Sequence, residues 1–109
     1  MNEQVLALEQ ASDQLKVEGK YPEAIAKLQE ALNIDPSFAR AHLALSVLYH
    51  KTEDYAKSCE HAEKAVELEP NDPFNMAALS VTYQRAFEGT RDPIYIQKAE
   101  EALAKSHGH

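Results

Sequence analysis

The sequence predicts an all-α chain built from repeated helix pairs. Three observations carry that expectation. The apolar residues of "KYPEAIAKLQEALNIDP", Lys20 to Pro36, return thirty-four residues later in "DYAKSCEHAEKAVELEP", Asp54 to Pro70, although only Tyr21/Tyr55, Ala31/Ala65 and Pro36/Pro70 are identical. A serine recurs at 12, 46 and 80, each with a bulky residue three positions on, at Leu15, Tyr49 and Tyr83. No stretch shows the alternation of apolar and polar residues that marks a strand.

The spacing predicts about six helices, near 3–18, 22–34, 37–51, 54–68, 73–87 and 93–105. In the first, Leu8, Ala11, Ser12 and Leu15 share one helical stripe. The second carries Ile25, Leu28 and Leu32, with Ala24 and Ala31 beside them. Pro22 sits just inside its start, where the missing N–H costs nothing, and Pro36 stops it. Ser37 is the expected N-cap of the third helix, whose stripe is His42, Leu45, Ser46 and Tyr49. The fourth rewrites the second as Ser58, Cys59, Ala62, Ala65 and Val66, and Pro70 stops it. Asp72 is the expected cap of the fifth, with Pro73 at its first position and Met76, Leu79, Ser80 and Tyr83 as its stripe. A longer turn at 86–92 holds a three-residue insertion, which turns tolerate well. Past Asp92-Pro93, the sixth helix then replaces Ile25, Leu28, Ala31 and Leu32 with Ile96, Ala99, Ala102 and Leu103.

Composition narrows the function classes. At 109 residues the chain is expected to form one domain. Eighteen acidic residues against eleven basic ones give a net charge of −7. A nucleic-acid binder needs a basic surface to neutralise phosphates, so no nucleic-acid partner is expected. The single cysteine, Cys59, has no internal partner for a disulfide. The N-terminus "MNEQVLALEQ" lacks the basic region of a signal peptide, and no run approaches the ~18 apolar residues of a membrane span. A soluble cytoplasmic chain without membrane insertion is expected.

Nothing in the sequence assembles catalytic chemistry. There is no glycine-rich phosphate loop, no His-Glu-x-x-His helix and no pair of cysteines. Cys59 and His61, two apart on a helix, point roughly 200° away from each other. Cys59 falls on the buried stripe, where cysteine behaves as a small hydrophobe. His42 and His50 stand roughly 12 Å apart by helical rise, and His42 occupies a packing position. No enzyme activity, no metal and no cofactor are expected.

Paired helices at a thirty-four-residue period, the first two closed by Pro36 and Pro70, resemble the tetratricopeptide repeat. The resemblance covers nearly the whole chain as three tandem repeats, about 5–38, 39–72 and 73–106, with 104–109 as a frayed tail. In that pattern Ser12, Ser46 and Ser80 fill the small place where paired helices cross, and Ala24 and Ser58 fill the facing one. Tyr95 stands where the third copy should be small. The resemblance implies a right-handed α-solenoid, because one pair cannot hide its apolar stripe without a neighbour. Its inner groove would be lined by the first helix of every pair.

Carried over by register, the groove positions of the first repeat are Leu6, Glu9, Gln10, Asp13 and Val17. In the second repeat they are Arg40, Leu43, Ala44, Val47, His50 and Lys51. In the third they are Phe74, Ala77, Ala78, Val81, Gln84 and Arg85. Some members of the family hold the C-terminal carboxylate of heat-shock chaperones with lysine, asparagine and arginine. Here those places carry Glu9, Asp13, Ala44, Ala77 and Ala78, and the acidic pair Glu9 and Asp13 would repel a carboxylate rather than clamp it. The apolar strip instead suits a protein or peptide segment with two or three apolar anchors. The candidate binding residues are Arg40, Leu43, Ala44, Val47, Lys51, Phe74, Ala77, Ala78, Val81 and Arg85.

The third repeat is expected to lack a neighbour on its outer flank, which makes Ile94, Tyr95, Ile96 and Leu103 a candidate self-association patch, as in a homodimer. The alternative is that a side chain from the 86–92 turn folds over it. The function implied by the resemblance is a non-catalytic adaptor that binds a protein segment. The alternatives are a small chaperone or assembly factor shielding an apolar segment of a client, and an oligomerisation module.

Overall fold

The computed structural model describes residues 2–108, with side chains from Asn2 to Lys105. All regular structure among them is helical: α1 (Glu3–Val17), α2 (Tyr21–Ile34), α3 (Ala39–Lys51), α4 (Tyr55–Leu68), α5 (Pro73–Thr90) and α6 (Ile94–Gly108). The helices pair as α1 with α2, α3 with α4 and α5 with α6, and the second helix of each pair packs on the first of the next. The sequence period is therefore a packing period, in an all-α fold of helix-turn-helix repeats.

One hydrogen bond recurs wherever a pair crosses. Ser12 Oγ donates to the Ala24 carbonyl at 2.9 Å. Ser58 Oγ donates to the Ser46 carbonyl at 2.7 Å, and Ser80 Oγ donates to the Ala99 carbonyl at 3.3 Å. All of these serines are buried, so a small side chain lets the backbones approach while its hydroxyl stays satisfied. A second contact recurs between repeats. Gln29 Nε2 donates to Tyr49 Oη at 3.1 Å, and thirty-four residues on, Tyr83 Oη donates to the Glu63 carboxylate.

The core lies in two clusters. Val5, Leu28, Phe38, Ala41, Leu45 and Leu48 centre the first, with Leu8, Leu15, Ile25 and Ala44 packed against it. Cys59, Ala62, Leu79, Tyr83, Ala86, Ala99 and Ala102 centre the second. Leu28, Leu45 and Leu48 are essentially inaccessible, each worth about 1.5–3 kcal/mol of burial. Alanines fill most of the second cluster, so α5 and α6 come together through small residues.

Helix ends follow the local chemistry, with three departures from expectation. Asp72 accepts the Phe74 N–H and caps α5 as read from the sequence. Ser37 does not cap α3. Its N–H and hydroxyl both donate to the Asp35 carboxylate, and Phe38 takes the cap position without a side-chain bond. The long turn at 86–92 is largely helix, because α5 continues to Thr90. Ala86 is buried, and Thr90 Oγ1 donates back to the Ala86 carbonyl at 2.7 Å. Gly89 lets the Tyr55 ring lie directly on the α5 backbone. The helix stops at Arg91, in the left-handed region at φ 63°.

The extra length of α5 also moves the crossing with α6 one turn along, from Tyr95 to Ala99. Tyr95, too large for a crossing, is half-buried beside the second cluster and stacks on Tyr83 at 6.4 Å between centroids. The third departure is the tail, where the α6 backbone runs to Gly108. The side chains of 106–109 lie outside the described residues.

A candidate docking groove

Between α3 and α5 lies an open hollow of about 330 Å³ lined by Leu43, Ser46, Val47, Phe74, Ala77, Ala78, Val81, Thr82 and Arg85. The two helices supply it through residues one turn apart, Leu43 and Val47 on α3 and Phe74, Ala78 and Val81 on α5. Phe74 is 69% exposed, Val81 41% and Val47 37%, so three large apolar side chains face solvent at one hollow. The floor is dry chemistry. Thr82 Oγ1 donates to the Ala78 carbonyl at 2.8 Å and lies 3.5 Å from Ser46 Oγ, leaving little polar demand for a ligand to meet.

Seven of the sequence-derived groove residues converge on this hollow: Leu43, Val47, Phe74, Ala77, Ala78, Val81 and Arg85. Three do not. Ala44 turns to the first core cluster. Lys51 is exposed on the stripe of Leu43 and Val47 but beyond the hollow. Arg40 lines a neighbouring hollow of about 410 Å³. Its guanidinium is held in a fork by Glu9, with Nε at 2.6 Å and Nη2 at 2.7 Å from the carboxylate oxygens. That hydrogen-bonded pair raises the arginine pKa and ties α1 to α3, so Arg40 is not an unpaired cation. In the first repeat, Val17 is 80% exposed and stands apart from both hollows.

The end of the array carries a further hollow of about 480 Å³, lined by Gln84, Phe87, Glu88, Arg91, Ile96, Ala99, Glu100 and Leu103. Of the expected patch, Ile96 and Leu103 contribute to it. Ile94 is exposed but outside it, and Tyr95 is turned to the core. Phe87, from the 86–92 stretch expected as a turn, supplies the side chain beside Ile96 and Leu103, and it does so from helix because α5 is longer than expected.

Two histidines form a pair that residue types alone did not reveal. His42 Nδ1 and His61 Nδ1 lie 2.9 Å apart, and the His61 ring stacks on Tyr49 at 5.5 Å. Burial holds the His42 imidazole below its usual pKa, with Lys64 adding to this and a hydrogen bond to the Pro36 carbonyl opposing it. Burial, then His42 and Lys57, lower His61 to about 4. Both rings are therefore neutral near pH 7, one donating an Nδ1–H and the other accepting. The signal available was antiparallel pairing: if Ser46 crosses Ser58, position 42 must lie near 61. Cys59 is buried, and its thiol is pushed up to about 11 by burial first and Glu63 second, so it is no nucleophile at neutral pH. Among the described residues no group of three or more His, Cys, Asp or Glu side chains is placed to hold a metal. Nor is any described helix long and apolar enough to cross a membrane.

Two family profiles match the sequence, one for the TPR repeat at residues 13–53 and one for the tetratricopeptide repeat at residues 39–72. The chain belongs to the tetratricopeptide repeat family. Solved tetratricopeptide structures match its fold. The second TPR of Spaghetti (RPAP3), bound to the HSP90 peptide SRMEEVD, superposes with a TM-score of 0.76 at 18% identity, covering 95% of this chain and 90% of that one. The N-terminal domain of stress-induced protein-1 (STI-1) from C. elegans gives 0.68 at 17% identity over 94% and 99%. A chain of the CopN–Scc3 complex gives 0.69 at 15% identity over 94% and 69%. No curated protein matches the sequence. At these identities the tetratricopeptide fold is shared, and the groove side chains are this chain's own.

Proposed function

We propose that this tetratricopeptide domain is a non-catalytic adaptor that docks a protein segment, through apolar anchors, in the groove between α3 and α5. The observation that carries the reading is the 69% exposure of Phe74 at the rim of an apolar hollow. A rigid aromatic beside alanine-sized gaps provides area and pockets for a partner side chain. A solved relative in complex with a peptide supports the peptide-binding reading of the fold. The partner's chemistry differs, because Glu9, Asp13, Ala44, Ala77 and Ala78 offer no cation to an acidic tail.

The test compares retention of a partner from the source cells by the wild type, Val81→Glu and Ile96→Asp, each with helicity checked. A partner kept by the wild type and Ile96→Asp but lost by Val81→Glu supports the groove. Equal retention by all three contradicts it. A client that aggregates when the domain is withdrawn would assign the same groove to a chaperone.

A second reading is favoured by the hollow at the end of the array, where Phe87, Ile96 and Leu103 are ringed by Glu88, Arg91 and Glu100. Charges of both signs around an apolar centre are self-complementary across a twofold axis. Self-association there predicts a dimer in sedimentation velocity that Ile96→Asp converts to monomer. A wild-type monomer at high micromolar concentration contradicts it.

A further inference from the structure

The groove is charged unequally at its two ends. Where α3 and α5 begin, Asp35, Glu69 and Asp72 line the hollow of about 410 Å³ that shares Leu43 and Phe74 with the apolar one. Asp35 and Asp72 accept the N–H groups of Ser37 and Phe74, and Glu69 accepts from the Asn75 amide. Those bonds fix the carboxylates without cancelling their charge. Among the described residues none of the three has a cation within ion-pair distance, and Arg40 nearby is committed to Glu9.

The other end has the opposite sign. Arg85 lines the apolar hollow one turn beyond Val81, and Lys51 lies one turn beyond Val47 on the facing helix. Neither has an acidic partner within ion-pair distance among the described residues.

We propose that the groove takes a short extended protein segment with a basic side chain at one end, apolar side chains in the middle and an acidic side chain at the other. The basic side chain meets Asp35, Glu69 and Asp72, and the acidic one meets Arg85 and Lys51. This rests on the reading of the groove as a docking site. Asp72 and Arg85 are separated by roughly 20 Å of helical rise, which about six extended residues span. Apolar contact supplies affinity along that length. The charge gradient supplies direction, because the reversed pattern meets like charges at both ends.

The test pans a random linear dodecamer library, displayed on phage, against the whole chain, with Val81→Glu as the counter-selection. The expected enriched peptides carry two or more apolar residues flanked by a basic residue on one side and an acidic residue on the other. Each flanking charge should be enriched about fivefold, the size of one exposed ion pair. In a Lys51→Glu, Arg85→Glu double variant, both sites being exposed, the acidic flank should be replaced by a basic one. Apolar peptides with uncorrelated flanking charges, still lost on Val81→Glu, overturn the polarity and leave the groove standing. Peptides enriched equally on Val81→Glu, or none enriched at all, overturn both.

Discussion

Gly19 and Glu53, thirty-four residues apart, hold the same left-handed backbone, with φ 78° and 63°. Each ends a helix in the same motif. The Gly19 N–H bonds to the Lys16 carbonyl and the Lys20 N–H to Leu15, while Glu53 bonds to His50 and Asp54 to Tyr49. This is the Schellman arrangement, in which glycine is favoured because a Cβ crowds the carbonyl. The second repeat keeps the geometry and carries the strain.

Glu53→Gly should therefore stabilise the protein by about 1 kcal/mol, the steric cost of a left-handed L-residue. Glu53 is exposed and forms no ion pair among the described residues, so little is lost in exchange. Urea unfolding checks this. An unchanged or lower midpoint would show that the turn is not strained.

Tyr55 and Gly89 should show coupled effects of opposite sign. A Cβ at Gly89 overlaps the Tyr55 ring, so Gly89→Ala must push the ring off α5 and should lower stability. In a Tyr55→Ala background the ring is gone, and the same change should raise stability by about 1 kcal/mol through helix propensity. Unfolding all four proteins completes a double-mutant cycle. Equal effects of Gly89→Ala in both backgrounds would rule out the contact.

Acid should loosen the α3–α4 pair. His42 and His61 have lowered pKa values in the fold, His61 to about 4, so between that value and their ordinary 6.5 the unfolded chain binds more protons than the folded one. Stability is then full above about 6.5 and falls as pH drops toward 4, by an order of 2 kcal/mol. His61→Phe keeps a ring against Tyr49 and removes one proton site, so its stability should depend less on pH across that window. A wild type as stable at pH 5 as at pH 7 contradicts the pairing.

The two tyrosines that bridge repeats should differ in worth. Tyr83 donates to a carboxylate and Tyr49 accepts from a neutral amide. Among the described residues, Tyr83→Phe leaves Glu63 with only Lys98, 3.9 Å away, and should cost about 1–2 kcal/mol. Tyr49→Phe should cost about 0.5–1 kcal/mol. Equal losses in unfolding free energy would mean that the Glu63 bond is not charge-assisted.

Periodicity made the helices and their pairing readable, because every copy must bury the same stripe and cross at the same serine. The groove strip was readable for the same reason: positions one turn apart on α3 and α5 face one hollow. Contacts that depend on two distant side chains were not. Arg40 stands among the candidate binding residues, but its partner Glu9, thirty-one residues away on α1, takes its guanidinium. "AFEGTRDP" reads as a turn, since glycine disfavours a helix interior. The buried Ala86 and the Tyr55 ring on Gly89 keep it helical, and that tertiary packing moved Tyr95 off the crossing and brought Phe87 to the end hollow.

The most direct test of the docking groove is site-specific photo-cross-linking. A benzoylphenylalanine at Ala78, on the groove floor, is compared with one at Glu60, exposed on α4 and outside both groove hollows. The account expects a partner adduct from position 78 and none from 60. An adduct from 60 alone, or equal adducts from both, would contradict it.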